Sequence, residues 1–146
     1  MVDFSGHNFF ISSLEKLGKI AVSSSWWGLL FSSGCCFNSF KKLPKELSIL
    51  LENDPRKADV LIIAGAVNNK SAPILRRQYE QMAYPKWVVA IGDCACGTGM
   101  FINTYAISGG ADLFVPVDIK IPGCPPSQKD IAKALKTLKK GRKNAS

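Results

Sequence analysis

The chain has 146 residues, 47% of them apolar, and a formal net charge of +8, values that fit one globular domain built around one core. Its longest apolar stretches, such as Val60 to Val67, run about eight residues against the roughly 20 needed to span a bilayer, so no transmembrane helix is expected. The N-terminus lacks the basic flank, compact apolar run and small-residue cleavage site of a secretory signal, which leaves the cytoplasmic side of a membrane as the default location.

In chain order, residues 1–24 form a first segment in which Phe9, Phe10, Leu14 and Leu17 alternate with lysines, predicting an amphipathic helix over Asn8–Val22 that covers the core or lies on a partner or membrane surface. His7, the only histidine, has no metal-ligand pattern around it and reads as a surface residue. The domain proper is expected over residues 25–138. An apolar segment, Trp26 to Phe31, is followed by a short helix expected between Leu43 and Glu52, which the Asn53-Asp54-Pro55 turn signal ends. Three β-branched runs bounded by turn residues, Asp59–Val67, Lys86–Gly92 and Leu113–Val117, read as buried parallel strands. Helices are expected at Pro73–Met82, Met100–Ile107 and Ser127–Lys140, the first with a proline suited to an opening turn. Such alternation predicts an α/β domain, a parallel sheet with helices on both faces, in which ligands bind beyond the carboxyl ends of the strands. Residues 139–146 are a basic tail, part of a lysine-rich run from Lys129 onward that is usually a solvated face. With no recognition motif beside it, a nucleic-acid partner is not expected, and that reading leaves the cysteines unexplained.

The five cysteines are an odd number in a chain without an export signal, so they are expected as thiols or metal ligands and not as a disulfide scaffold. They fall in three loops: Gly34-Cys35-Cys36, then Gly92-Asp93-Cys94-Ala95-Cys96-Gly97, then Pro122-Gly123-Cys124-Pro125-Pro126. A 4Fe-4S cluster needs four thiolates converging on a bulky core, which glycine-rich loops with freely bent backbone can supply. Adjacent cysteines pair poorly in a disulfide yet can reach different irons. Structural zinc usually announces itself by Cys-x-x-Cys pairs, which do not occur here. The competing account makes one or more of these thiols small buried hydrophobes. Spacing does not decide which: Cys94 and Cys96 would point the same way in an extended loop and apart in a tight turn. Trp26, Trp27, Phe37 and Phe40 read equally well as core or as walls around a site, and Arg76 and Arg77 read first as a solvated helix face. A flavin or nicotinamide enzyme on such a sheet would want Gly-x-Gly-x-x-Gly after its first strand, which is missing.

At these residues the sequence resembles the complex I 20 kDa subunit family, to which the small subunits of energy-converting NiFe hydrogenases are related. The likeness runs from about Ser25 to Leu138, through Ser25-Trp26-Trp27, Gly34-Cys35-Cys36, Asp54-Pro55-Arg56-Lys57-Ala58-Asp59, Asn69-Lys70-Ser71-Ala72-Pro73, Gly92-Asp93-Cys94-Ala95, Pro116-Val117-Asp118-Ile119 and Pro122-Gly123-Cys124-Pro125-Pro126. The resemblance implies a flavodoxin-like fold carrying the last cluster of an electron-transfer chain. It selects Cys35, Cys36, Cys94 and Cys124 as ligands of one 4Fe-4S cluster and leaves Cys96 as a spare thiol. It further implies a place on the cytoplasmic side of a membrane-bound complex, packed against a larger catalytic subunit of the complex I 49 kDa or NiFe hydrogenase type, with other iron-sulfur and membrane subunits nearby. The adjacent cysteines and the segment Asn69 to Pro73 look like complex I, with a quinone pocket beside the cluster; Gly97-Thr98-Gly99-Met100-Phe101 looks more like the hydrogenases. Both branches usually carry an acidic residue soon after the first cysteine motif, where this chain has Phe37-Asn38-Ser39-Phe40.

Overall fold

The computed structural model describes residues 26–42, 49–107 and 109–145. The helix expected over Asn8–Val22, His7 and residues 43–48 therefore lie outside the described residues. Five strands form one all-parallel sheet: β1 (Trp27–Ser32), β2 (Leu50–Glu52), β3 (Val60–Ala64), β4 (Trp87–Ile91) and β5 (Ile119–Ile121), in the order β2-β1-β3-β4-β5. This is the flavodoxin-like order, and the expected α/β fold with helices on both faces is what the chain adopts.

The centre of the sheet follows directly from the β-branched run of β3, whose five residues are completely buried, as a strand covered on both faces must be. Because side chains alternate across a strand, Leu61 and Ile63 enter one core with Leu29, Val88 and Ala90, while Val60, Ile62 and Ala64 enter the other with Val89 and Ile91. Helix α2 (Ala72–Gln81), opened by a proline in its first turn, seals the first core with Ala72 and Leu75. Helix α1 (Cys36–Lys41) and the long helix α4 (Gln128–Ala145) seal the second with Cys36, Phe40, Ile131, Leu135 and Leu138. The α4 residues recur at i, i+4 and i+7, one apolar stripe of a helix that leaves Lys129, Lys133, Lys136 and Lys140 exposed. A short helical turn, α3 (Asp93–Cys96), follows β4.

Four expectations need correction. Trp26–Phe31 is not merely an apolar segment: it supplies β1, which pairs with β3 from Gly28↔Val60 to Ser32↔Ala64. The helix expected between Leu43 and Glu52 gives way, at Leu50–Glu52, to edge strand β2, because backbone pairing of Leu50, Leu51 and Glu52 with β1 outweighs a weak local helical pattern. The strand expected at Leu113–Val117 lies further on, at Ile119–Ile121. Pro116 has no N–H to give a ladder, so Val115 is buried from a loop, and pairing starts where the Asp118 carboxylate accepts the Val88 N–H at 2.7 Å while the Asp118 N–H reaches the Val88 carbonyl at 3.0 Å. Finally, Met100–Ile107 forms turns instead of a helix. Asn103 sits at φ 60°, and Asn69 donates to the Ala106 carbonyl at 2.8 Å and the Tyr105 carbonyl at 3.2 Å, tying the segment to the loop after β3.

Candidate thiol site

All three cysteine loops leave the carboxyl end of the sheet: Gly34-Cys35-Cys36 follows β1, Gly92-Asp93-Cys94 follows β4, and Gly123-Cys124 follows β5. Strand β3 lies between β1 and β4 and carries no thiol, so its loop must turn away for the other two to meet. Gly65 makes that turn, with φ 114° and no room for a side chain: a Cβ there would stand 2.6 Å from the Gly34 nitrogen. Beyond it the loops from β1 and β4 come into contact. A Cβ on Gly92, itself at φ 93°, would stand 2.2 Å from Cys36 Sγ, so that sulfur rests against the bare backbone of the opposite loop. The third loop joins through the Gly92 N–H, which donates to the Ile121 carbonyl at 2.8 Å, and through Asp93, whose carboxylate accepts the Gly123 N–H at 2.7 Å.

The electrostatics of the thiols follow this convergence. Burial, then the charge and hydrogen bond of Cys35, then the charges of Cys94 and Cys124 push the Cys36 thiol up to about 11. Burial raises Cys94 as well, followed by Cys124 and Cys35. Cys35, Cys36, Cys94 and Cys124 therefore share one field, and for Cys36 and Cys94 burial and neighbouring thiols together favour the protonated form. Cys36 is buried, Cys94 half-buried, and Cys35 and Cys124 are exposed at the rim. Among the described residues no three His, Cys, Asp or Glu side chains are arranged to hold a single metal ion. An all-thiol donor set is of the kind that iron-sulfur clusters use.

Cys96 is elsewhere. It is buried in the first core beside Ala90, whose carbonyl lies 3.9 Å from its sulfur, whereas Cys36 belongs to the second core on the other face of the sheet. Burial raises its thiol too, but the charges it feels are those of Lys120, Asp93 and Asp112, with no cysteine among them. Of the aromatics, Trp26 and Phe40 are core; Phe37 packs beside them and Trp27 stands partly exposed. Arg76 pairs with Glu80 at 3.2 Å on the exposed side of α2, a solvated face. Sequence reasoning missed Asp93 as a functional residue; the one signal was an acid lodged between a strand-ending glycine and a cysteine.

A parallel sheet of flavodoxin-like order with its cysteine loops at the carboxyl edge defines an α/β protein of the class that holds its ligand beyond the strand ends. The chain belongs to the NADH ubiquinone oxidoreductase 20 kDa subunit family, whose match covers residues 16–138. That is the family of complex I 20 kDa subunits and NiFe hydrogenase small subunits, components of oxidoreductase complexes. Among solved structures, the chain is similar to one in the membrane-bound sulfane sulfur reductase, an archaeal respiratory membrane complex. The two are 27% identical with a TM-score of 0.77, over 88% of this chain and 76% of that one. It is also similar in fold to a chain of the NAD+-reducing NiFe hydrogenase in the H2-reduced state, at 19% identity and a TM-score of 0.61, over 81% of this chain and 92% of that one. Among the described residues no helix is long and apolar enough to cross a membrane.

Proposed function

We propose that this chain is an electron-transfer subunit that carries one 4Fe-4S cluster on Cys35, Cys36, Cys94 and Cys124 and passes electrons to or from the active site of a larger partner in a membrane-associated, complex I-like oxidoreductase. The observation that carries this reading is the meeting of four thiols from three loops in one field, with the fifth cysteine apart from them in the first core. The cluster, when bound, supplies reversible one-electron chemistry. The chain's own part is to hold and shield it. Cys36 and Cys94, the two less exposed thiols, would hold it on the protein side, and the apolar core around Ile62, Ala64 and Ile91 would keep water from that side.

The exposed rim formed by Cys35 and Cys124 is the side left for the partner. Met100, Phe101 and Tyr105, strongly exposed on the segment that follows the Cys94 loop, add apolar area of the kind a subunit interface covers. Helix α4 continues beyond the buried Leu138 to Ala145, and the exposed Lys129, Lys133, Lys136 and Lys140 form a basic surface suited to an anionic membrane or subunit close by. A second reading makes the chain the small subunit of an energy-converting NiFe hydrogenase, favoured by Gly97-Thr98-Gly99-Met100-Phe101 after the Cys94 loop. It differs in partner and electron acceptor, not in the chemistry of this chain.

Anaerobic purification of the native complex tests both. A broad visible charge-transfer band and a reduced-state electron paramagnetic resonance signal assigned to this subunit are expected, and a chain without iron in the intact complex would overturn the reading. A co-purifying partner with two Cys-x-x-Cys motifs selects the hydrogenase version; a large subunit lacking them selects a quinone or other acceptor.

A further inference from the structure

Two of the four thiols come from neighbouring strands, Cys94 after β4 and Cys124 after β5, and the residues immediately before them are fastened to each other. The Asp93 carboxylate accepts the Gly123 N–H at 2.7 Å, and the Asp93 N–H donates to the Gly123 carbonyl at 3.1 Å. The first lies at the short end of the N–H to oxygen range. Gly123 can take part because it is at φ 131°, where a Cβ would meet Pro126 Cα at 2.6 Å. The Asp93 carbonyl in turn accepts the N–H groups of Thr98 at 2.9 Å and Gly99 at 3.0 Å. That closes the turn around Cys94, whose Sγ would lie 2.9 Å from a Cβ on Gly99. One residue thus joins the two loops and shapes the turn that carries one of the thiols.

We infer that Asp93 is the positioning residue of this site: its carboxylate sets the separation of Cys94 and Cys124 by clasping Gly123, and its negative charge lowers the reduction potential of the group those thiols hold. The inference rests on the four-thiol reading above. A tether alone does not call for an acid, since an amide oxygen or a hydroxyl accepts an N–H equally well. An anion beside a set of thiolates opposes further negative charge there. A fixed charge at that spot makes addition of an electron less favourable.

The experiment compares the anaerobically purified native complex carrying wild-type chain, Asp93→Asn and Asp93→Ala. Its readouts are iron content, the rate of iron loss to a chelator, the reduced-state electron paramagnetic resonance spectrum and the midpoint potential. Asparagine keeps an acceptor for the Gly123 N–H and loses the charge, so iron content and spectrum should stay at wild-type level while the midpoint moves to a more positive value. Alanine loses the clasp, and resistance to the chelator should fall by about 10- to 100-fold, the scale on which supporting contacts act on metal sites. If the two variants retain or lose iron alike, the clasp is refuted; if the asparagine midpoint equals that of wild type, the role of the charge is refuted. Wild-type complex in which this subunit holds no iron would instead overturn the four-thiol reading, and the inference with it.

Discussion

Cys94 and Cys96 are two residues apart on one short turn, and they end in different surroundings. Cys94 looks toward Cys124 and Cys35 at the carboxyl edge; Cys96 lies in the core against Ala90. The cause is local. Asp93–Cys96 forms one turn of α-helix between Gly92 and the left-handed Gly97, and on such a helix two positions are about 200° apart. A thiol's chemistry is therefore decided by the backbone that presents it: the same residue type is a candidate ligand at one position and a small hydrophobe at the other.

The sharpest way to break this contrast is to remove a thiol from each side. Replacing Cys36, Cys94 or Cys124 by serine should abolish or convert the cluster, read as loss of iron and of the reduced-state resonance, because serine is a far poorer iron ligand than thiolate. Next in size is Gly92→Ala, which leaves every thiol in the chain yet places a methyl 2.2 Å from Cys36 Sγ at a φ of 93°. We expect iron retention to fall by about 10- to 100-fold, with Gly97→Ala, in the part of the turn near Gly110, as the control for backbone strain alone.

A third prediction concerns pH in the metal-free chain. The Cys36 thiol is raised from 9.0 to about 11 in the folded protein. A raised acid favours the protonated form, so its contribution to stability is fully present below about pH 9 and is lost as pH rises toward 11. Denaturant midpoints measured across that window should fall for the wild type and fall less for Cys36→Ser. The smallest effect is expected for Cys96→Ser. Iron content and resonance should be unchanged, and stability should drop by about 1–2 kcal/mol for a hydroxyl placed in an apolar pocket. Loss of the resonance in Cys96→Ser, together with its survival in Cys35→Ser, would move Cys96 into the site and dissolve the contrast.

Much of the fold was legible before any coordinates. The strands β3 and β4 and the helices α2 and α4 stand within a few residues of where the β-branched runs and the helical spacing put them. The misreadings share a physical cause, since each depended on what lay across the sheet. Leu50–Glu52 is a strand because β1 offers it an edge, and Trp27–Ser32 is the strand that offers it. Val115 is apolar because it plugs the first core from a loop and not because it pairs. The turns of residues 100–107 are held by Asn69, some thirty positions away in the sequence. For the site, the cysteines and their glycine loops were plain, and so was their place at the carboxyl edge. No spacing rule could separate Cys94 from Cys96, because that depends on a single helical turn that four residues barely signal. Asp93 went unnoticed for a similar reason: its partner, Gly123, is 30 residues further along the chain.

The uneven depth of the four thiols, with Cys36 buried and Cys35 and Cys124 at the surface, has a bearing on the order of assembly. On the proposed reading, iron and sulfide would enter past the two thiols at the rim, the surface proposed to meet the large subunit. Loading would then come before docking. A chain docked while empty would have its entry closed, and one loaded but undocked would leave two ligands open to oxygen and chelators. The interval between those two events is when the site is most vulnerable, and it closes when the partner arrives.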